Sequence, residues 1–273
     1  MSSSFRFRRC VAVLLGTAVA LTSCSSSSPA SPPGTTDGDK GEIIVYAAAS
    51  LSGVLPEIMD ETVLRDHPDT EISYNFNGSS SLVDEIAAGA PADVLLTADE
   101  SNMEKADVKS LISDAQVFTA NTLTLVVPNS NPGSIKNFTT NDLDGKRLVT
   151  CAPAVPCGRS AQELADLSNV RLNPVSEEQS VSDVIDKVVS GEADAGIVYK
   201  TDAMEKADSI DVIDIPRANE VVNNYMIATI KESKNKAGAQ AVTDAILSEP
   251  GQEILKRYGF IDINSGLSGR SAS

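Results

Sequence analysis

From Glu42 onward, short apolar runs of strand length alternate with amphipathic helical patterns, the signature of an α/β fold whose sheets are mostly parallel. The strands are expected at Ile43 to Ala47, Glu71 to Phe76, Val94 to Thr97, Leu123 to Val127, Arg147 to Cys151, Ala195 to Val198, Ser209 to Ile215 and Asn224 to Ile230. Helices are expected between them, at Leu51 to Arg65, Ser80 to Ala88, Glu100 to Lys105, Arg159 to Leu167, Val181 to Ser190 and Thr201 to Lys206. Two more, Ala237 to Leu247 and Gly251 to Tyr258, close the pattern. No internal repeat is visible. The alternation alone leaves open whether the chain builds one large sheet or two smaller domains.

Several strand ends carry the same chemistry. The run Ile43 to Leu51 stops at Ser50, where a helical pattern (Leu51, Leu55, Ile58, Met59) takes over. The first turn of a helix presents backbone N–H groups without internal partners, and the aligned peptide dipoles place partial positive charge there. A strand that delivers a serine to such a turn is either a simple N-cap or an anion site. Asn77-Gly78-Ser79 repeats the device, with Gly78 allowing close backbone approach. Cys157 and Val181 stand at two further helix starts without a cationic side chain, so these would act through their amides. Tyr199 ends a strand on a phenol, which can donate as well as accept.

The start of the chain reads as an address. Arg6, Arg8 and Arg9 precede an apolar run, Val11 to Leu21, too short to span a bilayer comfortably, and Leu21-Thr22-Ser23-Cys24 resembles a bacterial lipobox. That resemblance implies a signal peptide over 1–23, cleavage before Cys24 and a lipid on its sulfur, with 24–41 as a flexible tether. An uncleaved anchor is the alternative; the Ser- and Pro-rich stretch Ser25 to Lys40 favours the lipoprotein. Cys10 leaves with the signal, so Cys151 and Cys157 remain, and in an exported protein they are expected to pair as a disulfide. Two cysteines six apart, with His67 as the only histidine, do not make a zinc site, and no direct metal ligand is expected. With 38 acidic against 22 basic residues the charge is −16, which argues against nucleic acid or a basic membrane-docking face.

Six segments occur in one order: VYAAASL, NFNGSSSL, GAPADVLLTAD, VPCG, GIVY followed by TDA, and GQEILKRYGF. In that order the chain resembles the periplasmic molybdate-binding proteins of ABC transporters, from Glu42 to about Ile261. The resemblance implies a two-lobed type II periplasmic-binding-protein fold with the ligand cleft between the lobes. Lobe 1 would comprise 42–121 plus 227–263 and lobe 2 would comprise 122–226, with 264–273 as a tail. It further implies a monomer without cofactor, binding molybdate or tungstate and partnered by a membrane permease with its ATPase. By the same likeness the oxyanion contacts are the hydroxyl and amide of Ser50 and of Ser79, the amides of Cys157 and Val181, and the phenol of Tyr199. Cys157 departs from the commoner small residue, yet a backbone donor survives the change.

All these groups are neutral and all can donate. An unprotonated tetrahedral dianion satisfies them, whereas hydrogen phosphate aims its own O–H at a donor, a mismatch of about 1–3 kcal/mol. Phosphate is therefore expected to be rejected, sulfate and chromate to be excluded by size, and tungstate to bind like molybdate. A sulfate binder on the same fold is one rival. An exported hydrolase using Ser50 or Ser79 is another, but it lacks a histidine base near either serine and a Gly-x-Ser-x-Gly elbow.

Overall fold

The computed structural model describes residues 41–262. The expected signal, Cys24, the tail and all of the tether but Gly41 lie outside these residues. β1 (Ile43–Ala48) leads through a tight 3-10 turn, Ala49–Leu51, into α1 (Val54–Glu61) and α2 (Val63–Asp66). β2 (Ile72–Asn77), α3 (Ser79–Ala87), β3 (Val94–Thr97), α4 (Glu100–Val108) and β4 (Ile112–Asn121) follow. Next come β5 (Leu123–Pro128), α5 (Thr140–Leu143), β6 (Leu148–Cys151), α6 (Pro156–Ser168) and β7 (Ser176–Glu178). Then α7 (Val181–Val189), β8 (Ala195–Tyr199), α8 (Lys200–Glu205) and β9 (Ile210–Ile213) precede β10 (Asn223–Ile230), α9 (Lys236–Leu247) and α10 (Glu249–Arg257).

These strands form two sheets of five, in the orders β2-β1-β3-β10-β4 and β7-β6-β8-β5-β9. Within each sheet four strands share one direction. The exception is the strand that follows each passage from one sheet to the other: β5 runs against β8 and β9, and β10 runs against β3 and β4. The sheets are thus mixed, with a mostly parallel character. Asn121, the last residue of β4, pairs in register with Asn223, the first of β10, so the chain leaves and re-enters the first sheet at one point. The change of lobe expected at Ile227 falls inside β10, which joins the sheet four positions earlier.

Three expectations change. The helix expected over Leu51 to Arg65 is broken: Ser50 sits in the 3-10 turn, and α1 stops at Thr62, whose hydroxyl donates back to the Ile58 carbonyl. A hydroxyl that bonds to its own backbone competes with helix continuation. β4 was hidden because its first half, Ser113 to Gln116, is polar and bulged, with Asp114 at φ 56°. β7 was hidden because it is three polar residues long. Both lie at sheet edges, where polar side chains discourage pairing with another chain.

The pleat of β1 sends Val45 and Ala47 to one apolar cluster and Tyr46 to another on the opposite face. The larger cluster runs continuously from Leu96 and Phe118 of the first sheet to Leu125 and Ile197 of the second. Each of these four is at most 1% exposed, and burying such a side chain contributes about 1.5–3 kcal/mol. This shared core holds the carboxyl ends of β1 and β2 opposite the helix starts of the second sheet.

Candidate functional site

A small pocket lies between the two sheets, and Ser50, Ser79, Cys157, Val181 and Tyr199 all line it. Ser50 follows β1. Ser79 is the first residue of α3, directly after β2, and is 1% exposed. Cys157 is the second residue of α6, behind Pro156, whose missing N–H is harmless at that position. Val181 opens α7, whose cap is Ser180: its hydroxyl accepts from the Asp183 amide at 3.2 Å and donates to the Asp183 carboxylate at 2.7 Å. Tyr199 ends β8 and is 1% exposed. Three α-helix starts and one 3-10 turn therefore aim at one small volume, and first-turn amides have no intrahelical partner.

The side-chain hydroxyls are held in defined ways. Ser79 Oγ accepts from the Ala98 amide at 3.0 Å, which leaves its own hydrogen free to point into the cavity. Ser50 Oγ lies 2.7 Å from the Tyr225 hydroxyl. The Tyr199 hydroxyl is fully buried, near the Tyr225 hydroxyl but without a hydrogen-bond partner. Burial, with Tyr225, Asp99 and Asp202 nearby, pushes its pKa well above the phenol's ordinary value, so it stays protonated and able to donate. A buried, unsatisfied hydroxyl costs about 1–3 kcal/mol, a cost that a group accepting its hydrogen removes.

No lysine, arginine or histidine lines the cavity. Arg159 of α6 reaches across to Asp99, the cap of α4, and also donates to the Ala154 carbonyl at 2.7 Å. This ion pair joins the two sheets' helices beside the cavity. Gly78 and the Gln179 backbone meet on another side, and a side chain at Gly78 would strike that carbonyl. Cys151 and Cys157 are bridged, which ties the end of β6 to the first turn of α6. Neither serine has a base: Ser50 meets a phenol, Ser79 meets a backbone amide, and His67 is exposed at the end of α2. The site can hold an acceptor-rich anion; it lacks the parts for acyl transfer.

Tyr225, Asn121, Asp202 and the Arg159–Asp99 pair carry no sequence signal that sets them apart from ordinary strand and helix residues. Tyr225, Asn121 and the Arg159–Asp99 pair meet partners far along the chain, whereas the groups that bear on Asp202 lie within four residues of it.

Residues 43–261 match the profile of the bacterial extracellular solute-binding proteins. The chain belongs to this family. Among curated relatives, this solute-binding protein is 38% identical over 242 residues to the molybdate-binding protein of Mycobacterium bovis, covering 88% of this chain and 92% of that one. It is 32% identical over 238 residues to the molybdate-binding protein of Escherichia coli, covering 81% and 90% respectively. Its fold matches the periplasmic molybdate-binding protein of Azotobacter vinelandii with a TM-score of 0.70 at 20% identity, over 81% of this chain and 99% of that one. Membership places this solute-binding protein outside the cytoplasm. No helix among the described residues is long and apolar enough to cross a membrane.

Proposed function

We propose that this chain captures molybdate, and tungstate comparably, and delivers it to the permease of an ABC transporter without acting as an enzyme. The observation that carries the reading is the buried Tyr199 hydroxyl, partnerless beside a cavity that three helix starts and two serines also face. An unprotonated tetrahedral dianion offers acceptors in every direction such a set requires, and uncharged dipoles suffice to hold it where solvent is excluded. The relatives named as molybdate-binding proteins support the same ligand.

The five contacts are Ser50 and Ser79 through hydroxyl and amide, Cys157 and Val181 through the amide, and Tyr199 through the phenol. No cofactor takes part, and the protein works as a monomer tethered by lipid at Cys24. Thermal unfolding tests the ligand: molybdate and tungstate at a hundred times Kd stabilise the native state by about 2.7 kcal/mol, while equal concentrations of sulfate and phosphate shift it far less. A melting temperature unmoved by molybdate contradicts the reading. A Cys24→Ala variant that fractionates with membranes like the parent contradicts the anchor.

A further inference from the structure

We propose that Asp99 and Arg159 are positioning residues that latch the two sides of the site together, so that their ion pair sets how fast a captured oxyanion leaves. The inference rests on the oxyanion reading above.

Each partner is rooted on a different sheet. Asp99 caps α4, which packs on β3, β4 and β10 of the first sheet, whereas Arg159 belongs to α6, which packs on β5, β6 and β8 of the second. Both stand next to the lining of the pocket: Ala98 precedes Asp99 by one residue and Cys157 precedes Arg159 by two. The Ala98 amide also donates to Ser79 Oγ at 3.0 Å, so the segment that carries Asp99 holds one of the hydroxyls offered to the anion.

A guanidinium can only donate, so the direction of the bond is fixed by chemistry. Arg159 Nη2 donates to Asp99 Oδ2, while Nη1 donates to the Ala154 carbonyl at 2.7 Å and steadies the side chain over its own loop. On the facing side, Asp99 Oδ1 accepts from the Asn102 amide at 3.1 Å and from Asn102 Nδ2 at 2.9 Å. Thr97 Oγ1 donates to the Asp99 carbonyl at 2.7 Å. Oδ2 is left for Arg159. Each half is therefore held by its own side, and little side-chain freedom is lost when the two meet. The Asp99 side chain is 12% exposed and that of Arg159 34%, so solvent screens the pair less than it screens a surface pair. The α6 start and Ser79 approach the anion from the same two sides. Parting those sides to release it breaks the ion pair, and loss of such a pair acts mainly on dissociation.

The sign of the Asp99 effect separates a latch from a direct action of charge. Acting on a dianion through their fields alone, Arg159 would retain it and Asp99 would repel it. As a latch, both retain it.

The test compares the parent with Arg159→Gln, Asp99→Asn and the double variant. Calorimetry gives the molybdate Kd, a chase of labelled molybdate by excess unlabelled molybdate gives the dissociation rate, and the two together give the association rate. Asparagine keeps the acceptor for the Asn102 amide and presents an N–H group to the guanidinium in place of Oδ2. Each single variant is expected to release molybdate about threefold to tenfold faster, with association close to the parental rate and the double variant no faster than the faster single. Slower release from Asp99→Asn beside faster release from Arg159→Gln overturns the latch in favour of direct charge. Parental release rates, even with a lowered unliganded melting temperature, overturn it in favour of a purely structural pair, and so do single effects that add in the double variant. If Arg159→Gln does not fold, the sign of the Asp99→Asn effect decides. A parent that binds no molybdate overturns the reading beneath the latch, and the latch with it.

Discussion

Gly78 and Gln179 meet across the cavity so closely that a Cβ built on Gly78 stands 1.9 Å from the Gln179 carbonyl oxygen. The contact joins the cap of α3, on the first sheet, to the residue before the cap of α7, on the second. Gly78 has φ −62° and ψ 137°, an extended conformation that alanine adopts freely. Its glycine identity is therefore a matter of approach rather than of backbone strain. Gly78→Ala is expected to lower the unliganded melting temperature, since a Cβ 1.9 Å from a backbone carbonyl oxygen forces the two sides to shift and outweighs the entropy that alanine removes from the unfolded chain. Molybdate should bind at least tenfold more weakly in calorimetry, because the two sides no longer approach. Parental affinity would show that the approach plays no part in binding.

Tyr199→Phe separates binding from stability. Losing the phenol removes one donor to the anion, about 1–3 kcal/mol, or tenfold to a hundredfold in Kd. The same change removes a buried hydroxyl without a partner, so the unliganded protein should be at least as stable as the parent in urea. Weaker binding together with lower stability would mark Tyr199 as a packing residue instead.

Asp202 gives the fold a pH dependence. Its carboxyl is pushed up from 3.8 to about 7, mainly by burial and then by the Glu205 charge. The native state thus holds a proton that the unfolded chain has lost between these values. The stability that this group supplies is fully present below 3.8 and is lost as the pH rises through about 7. Asp194 titrates in the opposite sense, because its hydrogen bond to the Arg147 guanidinium holds it below the usual carboxylate range. A difference between parent and Asp202→Asn isolates the one group. Urea unfolding across this range should show the variant gaining on the parent as pH rises and levelling off above about 7. A difference independent of pH would mean that the buried carboxyl is ionised throughout.

The Cys151–Cys157 bridge closes a short loop and tethers the amide offered to the anion. On chain-entropy grounds it stabilises the fold by about 2 kcal/mol. The double variant Cys151→Ser, Cys157→Ala should lose about that much and bind molybdate more weakly, as reduction of the parent should. Reduction that leaves the affinity untouched would limit the bridge to stability.

Much of the scaffold was legible where apolar runs end abruptly. Ile43–Ala48, Val94–Thr97 and Ala195–Tyr199 are buried strands that read as such from their side chains, and their ends point at the site because open sheets bind at the carboxyl ends of their strands. The disulfide was legible from cysteine number and export alone. β4 and β7 were not, because an edge strand has one neighbour and tolerates polar residues at positions where a central strand must be apolar. Nor was the partner of Ser50: Tyr225 lies 175 positions away, and nothing local to either residue announces the bond. The helix expected at Ser50 proved to be a 3-10 turn, which no apolar periodicity separates from the first turn of α1.

The most direct test is titration of the purified mature protein with molybdate, tungstate, sulfate and phosphate in one calorimetric series. Saturable binding of molybdate and tungstate with one anion per chain, and affinities for sulfate and phosphate at least tenfold weaker, is the expected result. Absence of molybdate binding, or a sulfate affinity equal to or above it, would contradict the account.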